Sequence, residues 1–163
     1  MDGGLVIYAQ EPFLADTGQP EIFLAGPTPR HPGMSSWRPD AMRLLREQGF
    51  DDIILNPEPR NGTFGDFDYT AQIDWEWAGL DRAHIILFWV PRQLDTIPAF
   101  TTNVEFGMWC RSGKVVFGGP PAAPKNKYLR RTAELLGIPV AHTLQQTVEN
   151  ALQLLQRDTY ASY

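Results

Sequence analysis

Residues 84–118 read "HIILFWVPRQLDTIPAFTTNVEFGMWCRSGKVVFG", and the order of their apolar and polar runs decides the fold. "HIILFWV" (84–90) is an unbroken apolar run of β-branched and aromatic residues, the pattern of a strand covered on both faces. "PRQLDTIPAFTT" carries two prolines and reads as a loop. Residues 103–112 are expected to be a helix, and "KVVFG" (114–118) a second buried strand. Two such strands joined through a helix make a βαβ unit, whose strands run parallel.

The same alternation extends in both directions. "EIFLAG" (21–26) is a short strand stopped at Gly26-Pro27, and residues 36–48 follow helical spacing up to a C-cap at Gly49. "DIILN" (52–56) is a strand, "PEPRNGTFGDFDY" a long loop, and residues 70–83 a helix. Beyond residue 118 come the helix "KNKYLRRTAELLG", a short strand "IPVAH" and a last helix "TVENALQLLQRD", while "LVIYA" near the N-terminus is a candidate extra edge strand. The expectation is one α/β domain over 1–163, a parallel sheet of about five strands with helices on both faces.

Bulk composition agrees. The 163 residues are 43% hydrophobic and 12% aromatic with five Trp, enough for a packed core. The net charge of −5 argues against a nucleic-acid polymer as partner. One cysteine, Cys110, allows no internal disulfide, and no histidine stands in a motif that would make it a nucleophile. "MDGGLVIYAQEPF" lacks a signal-peptide pattern, and no apolar run approaches the ~18 residues of a membrane span. A soluble cytoplasmic protein without membrane contact is expected.

Parallel sheets bind ligands beyond the carboxyl ends of their strands. Four polar groups lie there and are expected to converge: Gly26, Pro27, Thr28 and Arg30; Asn56, Glu58, Arg60 and Asn61; Thr101, Thr102, Asn103 and Glu105; Gly118, Gly119 and Asn126. Several chemistries are missing. There is no G-x-G-x-x-G fingerprint, P-loop or G-x-S-x-G elbow, and His31, His84 and His142 show no metal spacing. Carboxylates remain. Glu76 in "DWEWAG" and Glu105 in "NVEFGMW" stand among apolar neighbours, where an unpaired buried acid is expensive unless it faces a pocket. A plainer reading exists for Glu105: Thr102-Asn103-Val104-Glu105 fits a capping box at a helix start. Residue types alone favour the cap.

The segments "IFLAGPTPR", "QIDWEWAGLDRAHIILFWVP" and "TTNVEFGMWCRSGKVVFGGP", in this order and spacing, resemble the nucleoside 2-deoxyribosyltransferase family and its nucleoside 2-deoxyribosyltransferase-like branch, from about residue 21 to about 130. The resemblance implies a flavodoxin-like fold and an enzyme that cleaves the N-glycosidic bond of 2′-deoxynucleosides and passes the deoxyribosyl group to a free nucleobase, with no metal or organic cofactor. It makes Glu105 the nucleophile and Glu76 the acid that assists the leaving base. It implies a homo-oligomer in which Asn126 reaches a neighbouring subunit's sugar site. Phe23, Gly26, Pro27, Trp75 and Asn103 are candidate substrate contacts, Trp37, Trp77 and Phe64 further walls for the base, and Arg30 and Arg38 candidates for a phosphate. Two positions depart from the pattern: Phe23 replaces a Tyr, and Ala99 stands where an Asp is usual, with Asp95 nearby. Hydrolysis of nucleoside 5′-monophosphates and non-catalytic nucleotide or partner binding are the alternatives.

Overall fold

The computed structural model describes residues 4–161, with side chains up to 158. Residues 1–3 and 162–163 of the expected single domain lie outside the described residues. The elements are β1 (Val6–Tyr8), β2 (Glu21–Ala25), α1 (Arg38–Glu47), β3 (Ile53–Asn56), α2 (Tyr69–Arg82), β4 (Ile85–Trp89), α3 (Phe100–Trp109), β5 (Val115–Gly118), α4 (Lys127–Leu135), β6 (Val140–Ala141) and α5 (Leu144–Ala161). All six strands pair in parallel in the order β1-β3-β2-β4-β5-β6. Without β1 this is the flavodoxin-like order, and "LVIYA" supplies the sixth strand at the edge.

The pleat sorts the apolar runs. Ile22, Leu24, Ile85, Leu87 and Val116 point to one face, where Ala41 and Leu45 of α1 and Val148 and Ala151 of α5 cover them. Phe23, Ala25, Ile86, Phe88 and Phe117 point to the other, against Trp75 and Leu80 of α2, Phe106 of α3 and Leu129 and Ala133 of α4. A side chain such as Phe88, wholly buried here, stabilises the fold by roughly 1.5–3 kcal/mol on burial. Phe106 meets Phe88 at 5.4 Å and Phe117 at 5.5 Å, both edge-on, which anchors α3 to the sheet. Among the described residues no helix is long and apolar enough to cross a membrane.

The chain leaves β2 for β3 on one side and returns to β4 on the other, so the strand order reverses between β2 and β4. A crevice opens at such a switch, beyond the strands' carboxyl ends. Gly26 ends β2 at φ +146°, and a Cβ there would overlap the Trp89 carbonyl of β4. Gly79 lets α2 press onto the sheet, because a Cβ there would run into the Phe23 ring. Both glycines keep the walls of the crevice close to its floor.

Candidate active site

The crevice is a cavity of about 1070 Å³. Phe23, Ala25, Gly26 and Pro27 form its floor. Gln72 and Glu76 of α2 line one wall, and the segment from Thr96 to Thr102 with Glu105 of α3 lines another. Loops 27–34 and 57–67 supply most of the rest, with Ser36, Arg38, Pro39 and Tyr69 completing it; Arg30 stacks over Phe64 at 5.5 Å and Phe64 stands edge-on to Phe67 at 5.9 Å.

Helix α2 starts by a local device. Asp68 accepts hydrogen bonds from the backbone N–H of Thr70 (2.9 Å) and Ala71 (3.3 Å), a standard N-cap. One turn on, Gln72 donates to the Pro57 carbonyl and to Glu76 Oε1, both at 3.0 Å, and so fixes the Glu76 carboxylate against the wall. Burial raises the pKa of Glu76, opposed by the Gln72 hydrogen bond and by the charges of Arg38 and Arg30.

Helix α3 starts differently. It begins at Phe100 rather than 103, with Ala99 in the left-handed region at φ 59° and no side-chain cap. The capping-box reading is therefore corrected. Thr102 lies inside the first turn and is 2% exposed, so it is not the N-cap, and Glu105 is an interior helical residue facing the cavity. Two residues of α3 misled the sequence reading: Thr102 resembles a cap, and Phe100 resembles loop. Glu105 is 8% exposed. Burial pushes its pKa up to about 8, the neighbouring Glu76 carboxylate pushes in the same direction, and the Arg38 charge opposes both. Two carboxyl groups from two helices thus face one cavity, and the Glu76 charge adds to burial in raising the Glu105 pKa.

Arg38 is 1% exposed and ties the β2 end together. It donates from Nε to Leu24 O (3.0 Å), from Nη2 to Gly26 O (2.7 Å), and from Nη1 to Thr28 Oγ1 and Glu58 Oε1 (both 2.9 Å). Glu58 also accepts from Ser36 Oγ at 2.7 Å. Most of the guanidinium is committed to the scaffold, so its contribution to the cavity is a fixed positive charge behind the two acids.

Of the four polar groups expected to converge, three reach the cavity in part. Thr28 and Arg30, Glu58, and Thr101, Thr102 and Glu105 line it. Arg60 instead pairs with Glu11 and packs on Tyr8. The fourth group stays away because β5 is one strand beyond the β2–β4 switch. Asn126, expected to project toward another subunit, is 1% exposed and turned inward, donating to Val90 O and accepting from Arg92. Asn103 also accepts from Arg92 and does not line the cavity. Trp75 lies behind the floor, stacked on Phe13 at 5.0 Å and donating to Glu11 O. Trp37 is buried and supports the Pro27 carbonyl, while Trp77 sits on the outer face of α2 against Trp109. Of the proposed ring walls only Phe64 faces the cavity. Asp95 is exposed and outside it.

Two contributors escaped sequence reasoning. Gln72 was legible as the i−4 partner of Glu76 on one helix face. Arg92, "VPRQL", carries no local signal; its partners lie 6, 11 and 34 residues away. No curated protein matches the sequence. The family described as nucleoside 2-deoxyribosyltransferase like matches residues 19–122, from the start of β2 past the end of β5, and takes in every residue placed above around the cavity; the chain belongs to that family.

Proposed function

We propose that the protein transfers the 2-deoxyribosyl group of a 2′-deoxynucleoside to another nucleobase through a covalent intermediate on Glu105. The observation that carries this reading is the electrically coupled pair Glu76 and Glu105 in one cavity at the strand-order switch. The Glu105 carboxylate attacks C1′, the N-glycosidic bond breaks, and its electron pair leaves on the base, which takes a proton from Glu76. An ester then joins C1′ to Glu105. The acceptor base attacks C1′ through a ring nitrogen, Glu105 departs with the ester electrons, and the proton lost by the acceptor returns to Glu76. Two displacements give net retention.

Burial makes this electrostatically effective. A carboxylate that is costly to ionise in the empty cavity gains more from the positive charge developing at C1′ than a solvated one does. Arg38 lowers that cost without touching the reacting atoms. Phe23, Gly26 and Pro27 provide a close floor for the sugar and base, and Phe64 a ring to stack on. Incubation with deoxynucleosides, with and without a second free base, tests the reading: exchanged nucleoside is expected, and release of free sugar at the same rate with or without acceptor would make the protein a hydrolase.

Subunit association belongs to the same reading, with a carrier other than Asn126. The outer face of α3 exposes Phe100 (73%), Val104 (60%) and Met108 (45%), and its one charged residue, Glu105, points inward. Tyr69, Ile73 and Trp77 continue the apolar strip along α2, whose Trp77 touches Trp109. These side chains amount to roughly 600 Å² of accessible surface, close to the ~800 Å² each partner gives in a standard interface. A second copy covering this strip would also close the cavity beside Tyr69 and Phe100, which line it. Light scattering at micromolar concentration should give a dimer or larger, and Val104→Glu a smaller species.

A further inference from the structure

Arg92 is 4% exposed, and among the described residues no carboxylate pairs with it. Its guanidinium is met by neutral oxygens: Nη1 donates to Pro98 O at 2.6 Å, Nη2 to Asn103 Oδ1 at 2.6 Å, and Nε to Asn126 Oδ1 at 3.1 Å. The Asn126 amide in turn donates to Val90 O at 2.8 Å, at the end of β4. Pro98 precedes α3, Asn103 lies in its first turn, and Asn126 is the residue before α4. A cation beside two helix N-termini opposes both dipoles. Burying it without a counter-charge is also expensive, and an apolar residue of similar volume would avoid both costs.

The position of the three acceptors shows what is obtained in return. Pro98 and Asn103 bracket Ala99, the residue held at φ 59° where α3 begins without a cap. The wall from Thr96 to Thr102 lines the cavity, and Glu105 follows Asn103 by two residues on the same helix. We propose that Arg92 is a positioning residue for the reaction at Glu105: with Asn103 and Asn126 it clamps the uncapped start of α3 to the β4 and β5 ends of the sheet and sets where the Glu105 carboxylate stands. The kinetic part of this proposal rests on the deoxyribosyl-transfer reading; the structural part does not.

The test compares Arg92→Gln, Asn103→Leu and Asn103→Asp with the wild type by steady-state base exchange, amide hydrogen exchange of residues 103–106, and ¹³C NMR titration of the labelled glutamates. The clamp needs an acceptor at 103 and no N–H donor, so Asp serves and Leu does not. For Arg92→Gln and Asn103→Leu, kcat should fall roughly 10- to 100-fold with KM within about threefold, and the α3 amides should exchange roughly tenfold faster. Asn103→Asp should match the wild type in both. Faster amide exchange without loss of kcat overturns the positioning role. Equal loss of kcat in Asn103→Asp and Asn103→Leu with unchanged amide exchange makes Asn103 a substrate contact and also overturns it. If Arg92→Gln does not fold, the Asn103 pair decides alone. If the wild type itself exchanges no base, the transfer reading fails. The clamp then stands only if Asn103→Leu, unlike Asn103→Asp, both loosens the α3 amides and moves the Glu105 titration.

Discussion

Helices α2 and α3 each deliver one carboxylate to the same cavity, yet they are built on opposite principles. Helix α2 is locally self-sufficient: Asp68 caps it, and Gln72, one turn before Glu76, orients the acid. Helix α3 has no cap and a left-handed Ala99 at its start, and it is held by Arg92 from another loop and by Phe106 from the sheet. The acid on the self-sufficient helix keeps a hydrogen-bond partner. The acid on the externally held helix is the more deeply buried and has its pKa raised to about 8. Both helices pack on distant segments, α2 through Trp75 on Phe13 and Glu11, but the start of α2 is fixed by its own cap and the start of α3 by contacts from elsewhere in the domain.

The largest expected effect breaks the pair on the α3 side. Glu105→Ala should abolish base exchange, by roughly 10³-fold or more, while the circular-dichroism spectrum stays native. Retained exchange in that variant would return Glu105 to a scaffold role. Glu76→Gln comes next, with a loss of roughly 10²- to 10⁴-fold in kcat and little change in nucleoside affinity. An effect confined to affinity would make Glu76 a contact rather than an acid.

Protonation sharpens the comparison. The Glu105 carboxyl is raised from 4.5 to about 8 in the fold. Between those values the folded state holds a proton that the unfolded state has lost, so this group makes stability fall as pH rises through the window, with no slope of its own below or above it. Urea melts from pH 5 to 8.5 should show that decline, and Glu105→Gln should flatten it and be more stable than the wild type at pH 8. The transfer rate should be bell-shaped instead, rising on the acid side as Glu105 ionises and falling where Glu76 loses the proton that it gives to the leaving base. A flat rate profile across this range would remove Glu105 as the titrating nucleophile.

The smallest effects separate the two helix starts. Asp68→Ala should cost about 1 kcal/mol and lower Tm by roughly 2–4 °C, with exchange activity kept. Ala99→Gly should not destabilise, because relief of a left-handed alanine, worth roughly 1–2 kcal/mol, offsets the added chain entropy of glycine, worth roughly 0.4–1 kcal/mol. A drop in Tm for Ala99→Gly larger than that for Asp68→Ala would show that the start of α3 is not strained.

Each element that announces itself through near neighbours in the chain was legible. The apolar runs of β2, β3, β4 and β5 specified a parallel sheet, because a strand buried on both faces needs no polar alternation. Helix α2 was read to within one residue, and the two acids stood out as charges among apolar side chains. The start of α3 was misread because its determinants are Arg92, Pro98 and the packing of Phe106, none of them a propensity of residues 100–103. Asn103 and Asn126 were read as polar groups converging on the ligand rim, but their shared partner Arg92, and hence their distance from the cavity, depended on which strands became neighbours. The chain by itself determined which side chains are apolar, where each strand lies and which acids are costly to bury. Only the tertiary structure decided that Glu76 and Glu105 share one cavity, that the Arg38 charge reaches both acids, and that Arg92 donates to Pro98 and Asn103 at the start of α3. Hydrophobic periodicity acts over a few residues, whereas electrostatic coupling and long-range hydrogen bonds exist only once distant segments meet.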